Sequence, residues 1–115
     1  MEMTESILTS IKKLLGIDES YTHFDADLIM HINGVFSILT QLGVGPPNGF
    51  SITGNGEKWD NFITKESHNL SLVKSYVYLK VKLLFDPPLS SAVIESINKQ
   101  ISEFEWRLNV AAESG

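Results

Sequence analysis

The chain contains no cysteine. That excludes disulfides, thiolate metal sites and cysteine nucleophiles together. It also has no apolar run near the roughly 18–20 residues that a bilayer span requires. The N-terminus, Met1-Glu2-Met3-Thr4-Glu5, is acidic where a secretory leader is basic, so a cytosolic chain is expected. Positive charge is scarce: 9 Lys and Arg stand against 14 Asp and Glu, a formal net charge of −5. Domains that grip phosphates are usually strongly basic. The acidic balance therefore disfavours tight nucleic-acid binding, although an acidic wall would let DNA slide past without sticking. Histidine is sparse as well. His23, His31 and His68 have neither HExxH nor His-x-His spacing, so satisfied structural histidines are expected rather than metal ligands.

What remains is a chain of 115 residues, 43% of them hydrophobic, enough for one domain over 1–115. A domain of this size buries roughly two thirds of the surface that its unfolded chain exposes. No internal repeat, low-complexity tract or linker divides it.

The periodicity is overwhelmingly helical. A first helix is predicted over about 5–15, with Ile7, Leu8, Ile11, Leu14 and Leu15 on one face, Thr4 as N-cap and Gly16 as the stop. A second is predicted over about 26–42, capped by Asp25, with an apolar stripe of Leu28, Ile29, Ile32, Val35, Phe36, Leu39 and Leu42. Gly43 ends it, and Gly45-Pro46-Pro47 prevents continuation. Gly34 is a weak spot inside this helix that a close neighbouring helix would explain.

Residues 44–64 read as a long irregular loop with turn chemistry at Asn48-Gly49 and Gly54-Asn55-Gly56. Phe50-Ser51-Ile52 suits a short strand, hairpin arm or extended loop. Trp59, Phe62 and Ile63 suit a helical turn docking on the body.

The segment over about 67–85 is helical by length, with Leu72, Val73, Tyr76, Val77, Leu79, Val81, Leu83 and Leu84 on a very broad apolar arc. Ser71, Lys74, Ser75, Tyr78 and Lys82 make up the remaining strip. Such a helix is expected at the centre, touched on most sides. Asp86-Pro87-Pro88 stops it. Ser90 or Ser91 caps a final helix over about 91–110, with Ile94, Ile97, Ile101, Phe104 and Leu108 facing inward. Its opposite face carries Glu95, Lys99, Glu103 and Arg107, each Glu four residues before a base. Ala111 to Gly115 is expected to fray. The predicted class is all-α: a bundle of four to five helices with the irregular 44–64 loop.

No catalytic constellation emerges, and no enzyme, cofactor or metal is expected. Asp25 and Asp27, at a helix start, fit capping and dipole compensation better than paired catalysis. Gly43-Val44-Gly45 and Gly54-Asn55-Gly56 lack the Lys-Ser/Thr of a phosphate loop.

Three features stand above background. Trp106 projects about 170° from the centre of the final helix's apolar stripe at 100° per residue. It is either an interface anchor or covered by the loop or the first helix. Lys80 lies within the apolar arc of the central helix and must either snorkel out or meet a carboxylate. Between Glu66 and Asp86 the only formal charges are Lys74, Lys80 and Lys82. This basic strip among acidic segments suits a head-to-tail contact between subunits, or else is ordinary surface variation.

The segments Tyr21-Thr22-His23-Phe24-Asp25, Gln41-Leu42-Gly43-Val44-Gly45, Leu84-Phe85-Asp86-Pro87-Pro88 and Glu105-Trp106-Arg107-Leu108-Asn109 occur in an order and spacing that resembles the small head–tail connector (adaptor) proteins of tailed phages and prophages, also called phage DNA-packaging proteins. The resemblance covers roughly residues 4–110. It implies an all-helical, non-enzymatic virion assembly protein, cytoplasmic until it joins the head–tail junction. It implies a homo-oligomeric ring beneath the portal protein, formed from subunits that can be monomeric in solution. That ring would extend the DNA channel, enclose DNA without sequence-specific binding and receive a neck or tail-completion protein, with no membrane involved. The 44–64 loop would then be an arm reaching a neighbour or the next ring, and the final helix would lie near the portal or a subunit boundary. The family has no short signature for these contacts, so the interface candidates Trp106, Lys74, Lys82, Phe50 and Trp59 rest on physics. A small helical DNA-binding or regulatory module is the alternative; the negative charge and missing basic recognition helix weigh against it.

Overall fold

The computed structural model describes residues 5–63 and 69–114. These form α1 (Ile7–Leu15), α2 (Asp25–Gln41), the short α3 (Trp59–Phe62), α4 (Asn69–Phe85) and α5 (Ser91–Ser114). No strand forms among the described residues, so the expected class is correct and the strand at Phe50–Ile52 is absent. Helix α4 packs against α1, α2 and α5, the central position its apolar breadth predicts. It buries Leu70, Val73, Tyr76, Val77 and Val81, while Leu84, assigned inward by periodicity, is exposed near its C-terminal end.

Glycine geometry ends the first two long helices. Gly16, at φ 82°, donates its N–H to Lys13 O, and Ile17 donates to Lys12 O. Gly43, at φ 86°, repeats the pattern with Thr40 O, and Val44 donates to Leu39 O. Both are Schellman closures, which need a left-handed residue that only glycine adopts cheaply.

The helix starts differ from expectation. Thr4 lies outside the described residues. Ser6 caps α1, its hydroxyl accepting from the Thr9 N–H at 3.2 Å. The preceding chain is held extended: Ile7 N–H donates to Glu57 O and Trp59 N–H to Glu5 O, an antiparallel bridge that fixes where α1 begins. Asp25 is not the cap of α2. Phe24 occupies that position without a side-chain cap, because Asp25 is already helical and its carboxylate meets Lys12.

The 44–63 segment is part of the core and not a projecting arm. Ile52, Trp59 and Phe62 are buried in it. Phe50 lies half-buried, 5.2 Å from the Phe36 ring and 5.3 Å from Phe62. Asn33 on α2 holds the backbone here through a paired contact: its Oδ1 accepts from Ile52 N–H at 2.7 Å and its Nδ2 donates to Ile52 O at 2.9 Å. A side-chain amide thus does what a neighbouring strand would do, leaving no buried backbone group unpaired at that point. Gly45, at φ 87°, packs so closely that a Cβ there would meet the Phe62 ring at 2.3 Å. Gly34 has no such reason: nothing lies within 4 Å of where its Cβ would be, so the expected helix contact is absent.

The final helix continues beyond the predicted end at 110, to Ser114. Asn109 Nδ2 donates to Leu42 O, and Gly43 approaches Ala112 Cβ, so the loop after α2 supports the last turns. Ser90 begins this helix, accepting from Val93 N–H on its hydroxyl and from Ile94 N–H on its carbonyl.

Candidate assembly surfaces

Among the described residues no group of histidine, aspartate and glutamate could hold a metal ion. His23 is exposed and stacks edge-on with Phe24 at 4.9 Å, His31 is partly buried, and His68 lies outside the described residues. The ionisable groups that are buried are engaged in holding the fold. Lys12, only 2% exposed, donates to Glu19 O at 3.0 Å and Tyr21 O at 2.7 Å. Its ammonium also lies 2.9 Å from Asp25 Oδ1, an ionic contact rather than a well-directed hydrogen bond. Tyr76 is buried and its hydroxyl donates to Glu105 Oε2 at 2.7 Å, tying α4 to α5. Burial, reinforced by the Glu105 carboxylate, pushes the Tyr76 phenol well above its ordinary range. Burial also pushes the Glu57 carboxyl up, but hydrogen bonds from Thr53 and from the Gly54 amide outweigh it and hold the group below its ordinary value.

The five surface candidates separate clearly. Trp59 is fully buried, its Nε1 donating to Ser10 Oγ at 2.9 Å, so it presents nothing to a partner of the folded chain. Phe50 leans on Phe36 and Phe62 and offers only part of its ring. Lys74 is held inward by Glu5 at 3.3 Å, its ammonium 5.9 Å from the Trp59 ring centroid. Lys82 pairs with Asp86 at 3.2 Å one turn later. The basic strip read from the sequence is therefore partly neutralised in place. Lys80 is partly exposed and makes no ion pair with a described residue, which fits a snorkelling stem. On α5, Glu103 and Arg107 close at 2.6 Å, while Trp106 beside them stands 68% exposed. Of the five, only Trp106 offers a large free apolar surface.

Periodicity did not single out a second apolar exposure. Leu84, Leu89 and Val93 are all exposed around the corner between α4 and α5, Leu89 completely. Pro87 and Pro88 fix the backbone immediately before Leu89. An open groove of ≈ 480 Å³ lies between α1 and α4, lined by Leu14 and Tyr78 among serines and lysines, with Glu5 beside them. No helix of the described residues is long and apolar enough to cross a membrane. What the surface offers is apolar contact and charge.

The model of a family described as phage connector protein matches residues 7–115. This chain belongs to that family. No curated protein and no solved structure is significantly similar to it. The connector serves the joining of phage head and tail, as a virion component acting through contact with other head and tail proteins. The matched region covers all five helices and the core loop. Trp106 and the corner that carries Leu89 are exposed apolar groups on the outside of that body.

Proposed function

We propose that this connector docks beneath the portal after genome packaging, assembles there as a ring, extends the DNA channel and presents the next surface to a neck or tail-completion protein. The observation that carries this reading is the family match over nearly the whole chain. The chain's physics supports it. The net charge of −5 suits a channel wall past which DNA moves without being held. Trp106 and Leu89 are apolar groups that a protein partner would cover. The role is one of assembly, without catalysis: the buried Lys12 and Tyr76 and the partly buried Asn33 are engaged in fixing loops and helices.

The direct test is retention of purified connector on assembled portal rings from the same phage. Stable retention is expected, and failure to bind correctly assembled portals would overturn the reading. A gel shift with duplex DNA at low salt is expected to show no tight complex. Strong binding that falls steeply with salt would instead indicate a DNA-binding module.

A further inference from the structure

We propose that Asn55 is a site of spontaneous covalent modification: water converts its side-chain amide to aspartate and isoaspartate in the folded chain, while the fold shields two other asparagines in the same local sequence. The reaction needs no portal, ring or partner.

Asparagine is followed by glycine at Asn33-Gly34, Asn48-Gly49 and Asn55-Gly56. Such pairs are open to self-attack, because glycine has no Cβ to hinder the approach of its own backbone nitrogen to the preceding side chain. The glycine nitrogen gives its proton to solvent base and attacks the asparagine Cγ. A C–N bond forms, the Cγ–Nδ2 bond breaks, and the side-chain nitrogen leaves as ammonia with a proton from water. One water then opens the five-membered imide. Cleavage at Cγ gives aspartate, and cleavage at the main-chain carbonyl carbon gives isoaspartate, whose backbone runs through the side chain. Nothing is oxidised or reduced, and water is the co-reactant.

The three pairs sit in different settings. Asn33 and Gly34 lie inside α2, where closing the imide ring means breaking the helix. The Asn33 amide is held as well, its Oδ1 accepting from Ile52 N–H at 2.7 Å and its Nδ2 donating to Ile52 O at 2.9 Å. Asn48 is exposed, but the nitrogen that would attack it is engaged: Gly49 N–H donates to Pro46 O at 3.0 Å and closes a tight turn. Both asparagines react only after local opening.

Asn55 and Gly56 have no such restraint. Glu57 anchors the base of their loop, accepting from Thr53 N–H at 3.0 Å, Thr53 Oγ1 at 2.9 Å and Gly54 N–H at 3.4 Å. Asn55 and Gly56 form the tip beyond those bonds, and both are exposed. Neither the Asn55 side chain nor the Gly56 N–H has a hydrogen-bond partner among the described residues. The attacking nitrogen and its target are therefore free to meet.

The consequences differ as much as the access. An aspartate at position 33 would lose the Nδ2 donor and leave the carbonyl of the buried Ile52 facing a carboxylate. At position 55 a carboxylate breaks no bond of the fold, and adds a negative charge to a loop tip two residues before Glu57. Folding shields the amide on which the structure depends and leaves open one on which it does not.

Trypsin cuts after Lys13 and Lys58 and at no lysine or arginine between them, so one peptide, 14–58, carries all three pairs. The full chain is incubated in mildly alkaline buffer well below its thermal midpoint, and in parallel in concentrated urea. Fragmentation mass spectrometry of that peptide locates each conversion against an unincubated sample. In the folded chain Asn55 should convert first, Asn48 about tenfold or more slowly, and Asn33 slowest of the three. In urea the three rates should come within a few-fold of one another. Gly56 is not left-handed, and nothing lies within 4 Å of where its Cβ would be. Gly56→Ala should therefore keep the thermal midpoint and slow conversion at Asn55 several-fold. Conversion of Asn48 or Asn33 as fast as that of Asn55 in the folded chain overturns the proposal. So does an equal lead of Asn55 in urea, since the fold would then select nothing. A folded chain that stays intact while the urea sample converts, or a Gly56→Ala chain that converts at the parent rate, overturns it too.

Discussion

Lys12→Met should destabilise the connector by about 2–3 kcal/mol, although it replaces a charge with a residue that suits an apolar site. The ammonium of Lys12 serves two loop carbonyls and one carboxylate. A hydrogen bond from a charged donor contributes about 1.5–3 kcal/mol net, and removing one partner of a buried ion pair costs about 3–5 kcal/mol. Those figures do not simply add here. Asp25 is 26% exposed, so water recovers part of its solvation when the ammonium is gone. Glu19 and Tyr21 are themselves exposed, and water can replace part of what their carbonyls lose. Methionine keeps most of the buried stem, so packing is nearly conserved. Lys12→Ala would lose that stem as well, adding about 2–5 kcal/mol. A chain of this length has roughly 6–17 kcal/mol in all, so the alanine variant should approach the limit of folding.

Urea unfolding followed by far-ultraviolet circular dichroism measures the effect. With a slope of about 1.5 kcal/mol per M, Lys12→Met should move the midpoint down by about 1.3–2 M. Asp25→Asn in the same background completes a double-mutant cycle, and a coupling of about 1–2 kcal/mol is expected between the two. A methionine variant within about 0.3 M of the parent would refute the reasoning. It would mean that desolvating the ammonium cancels everything its partners return, as happens for some buried pairs.

Gly34→Ala should stabilise by about 0.5–1 kcal/mol, since the position is mid-helix and open; a lowered thermal midpoint would contradict this. Gly45→Ala should do the reverse, costing about 2–4 kcal/mol, because a side chain is strained at φ 87° and meets the Phe62 ring; unchanged urea stability would contradict it. Tyr76→Phe should cost about 1–3 kcal/mol at neutral pH through the lost bond to Glu105. The folded phenol titrates above the unfolded one, so its stabilisation is complete below about pH 10 and falls as pH rises past it. The difference between parent and Tyr76→Phe stabilities should therefore shrink from about pH 10 upward, and a difference independent of pH would contradict the assignment.

The helices were legible because their signals are local. Gly16 and Gly43 end α1 and α2 by a backbone conformation that no neighbour needs to supply, and the stripes of α2 and α4 follow from spacing alone. What escaped depends on contacts distant in sequence. Thr4 and Ser6 are equally good caps on paper, and the choice is made by the pairing of residues 5–7 with 57–59. Ala111 and Ala112 look like a fraying end until Gly43 and Asn109 are seen to hold them. Lys12 did leave a signal: it stands at the i+4 position from Leu8 and three before Leu15, inside the apolar stripe of α1. A lysine there predicts a buried cation with partners waiting for it. The surface was the hardest to read. Trp59 and Trp106 have similar polar neighbours in sequence, yet one lies at the centre of the aromatic core and the other in solvent.

The two irregular stretches were treated oppositely by folding, and the contrast bears on assembly. The stretch over 44–63 is rich in glycine and proline, yet it turns Ile52, Trp59 and Phe62 inward and satisfies its backbone through Asn33. Burying a leucine is worth about 1.5–3 kcal/mol, and a flexible connection after α4 would have let Leu89 fold back toward the nearby core in the same way. Pro87 and Pro88 remove that freedom while starting α5 at Ser90. The chain thus gives up available burial energy at one corner only a few residues long. A partner that covers Leu89 would recover that energy without first paying to order the segment that carries it.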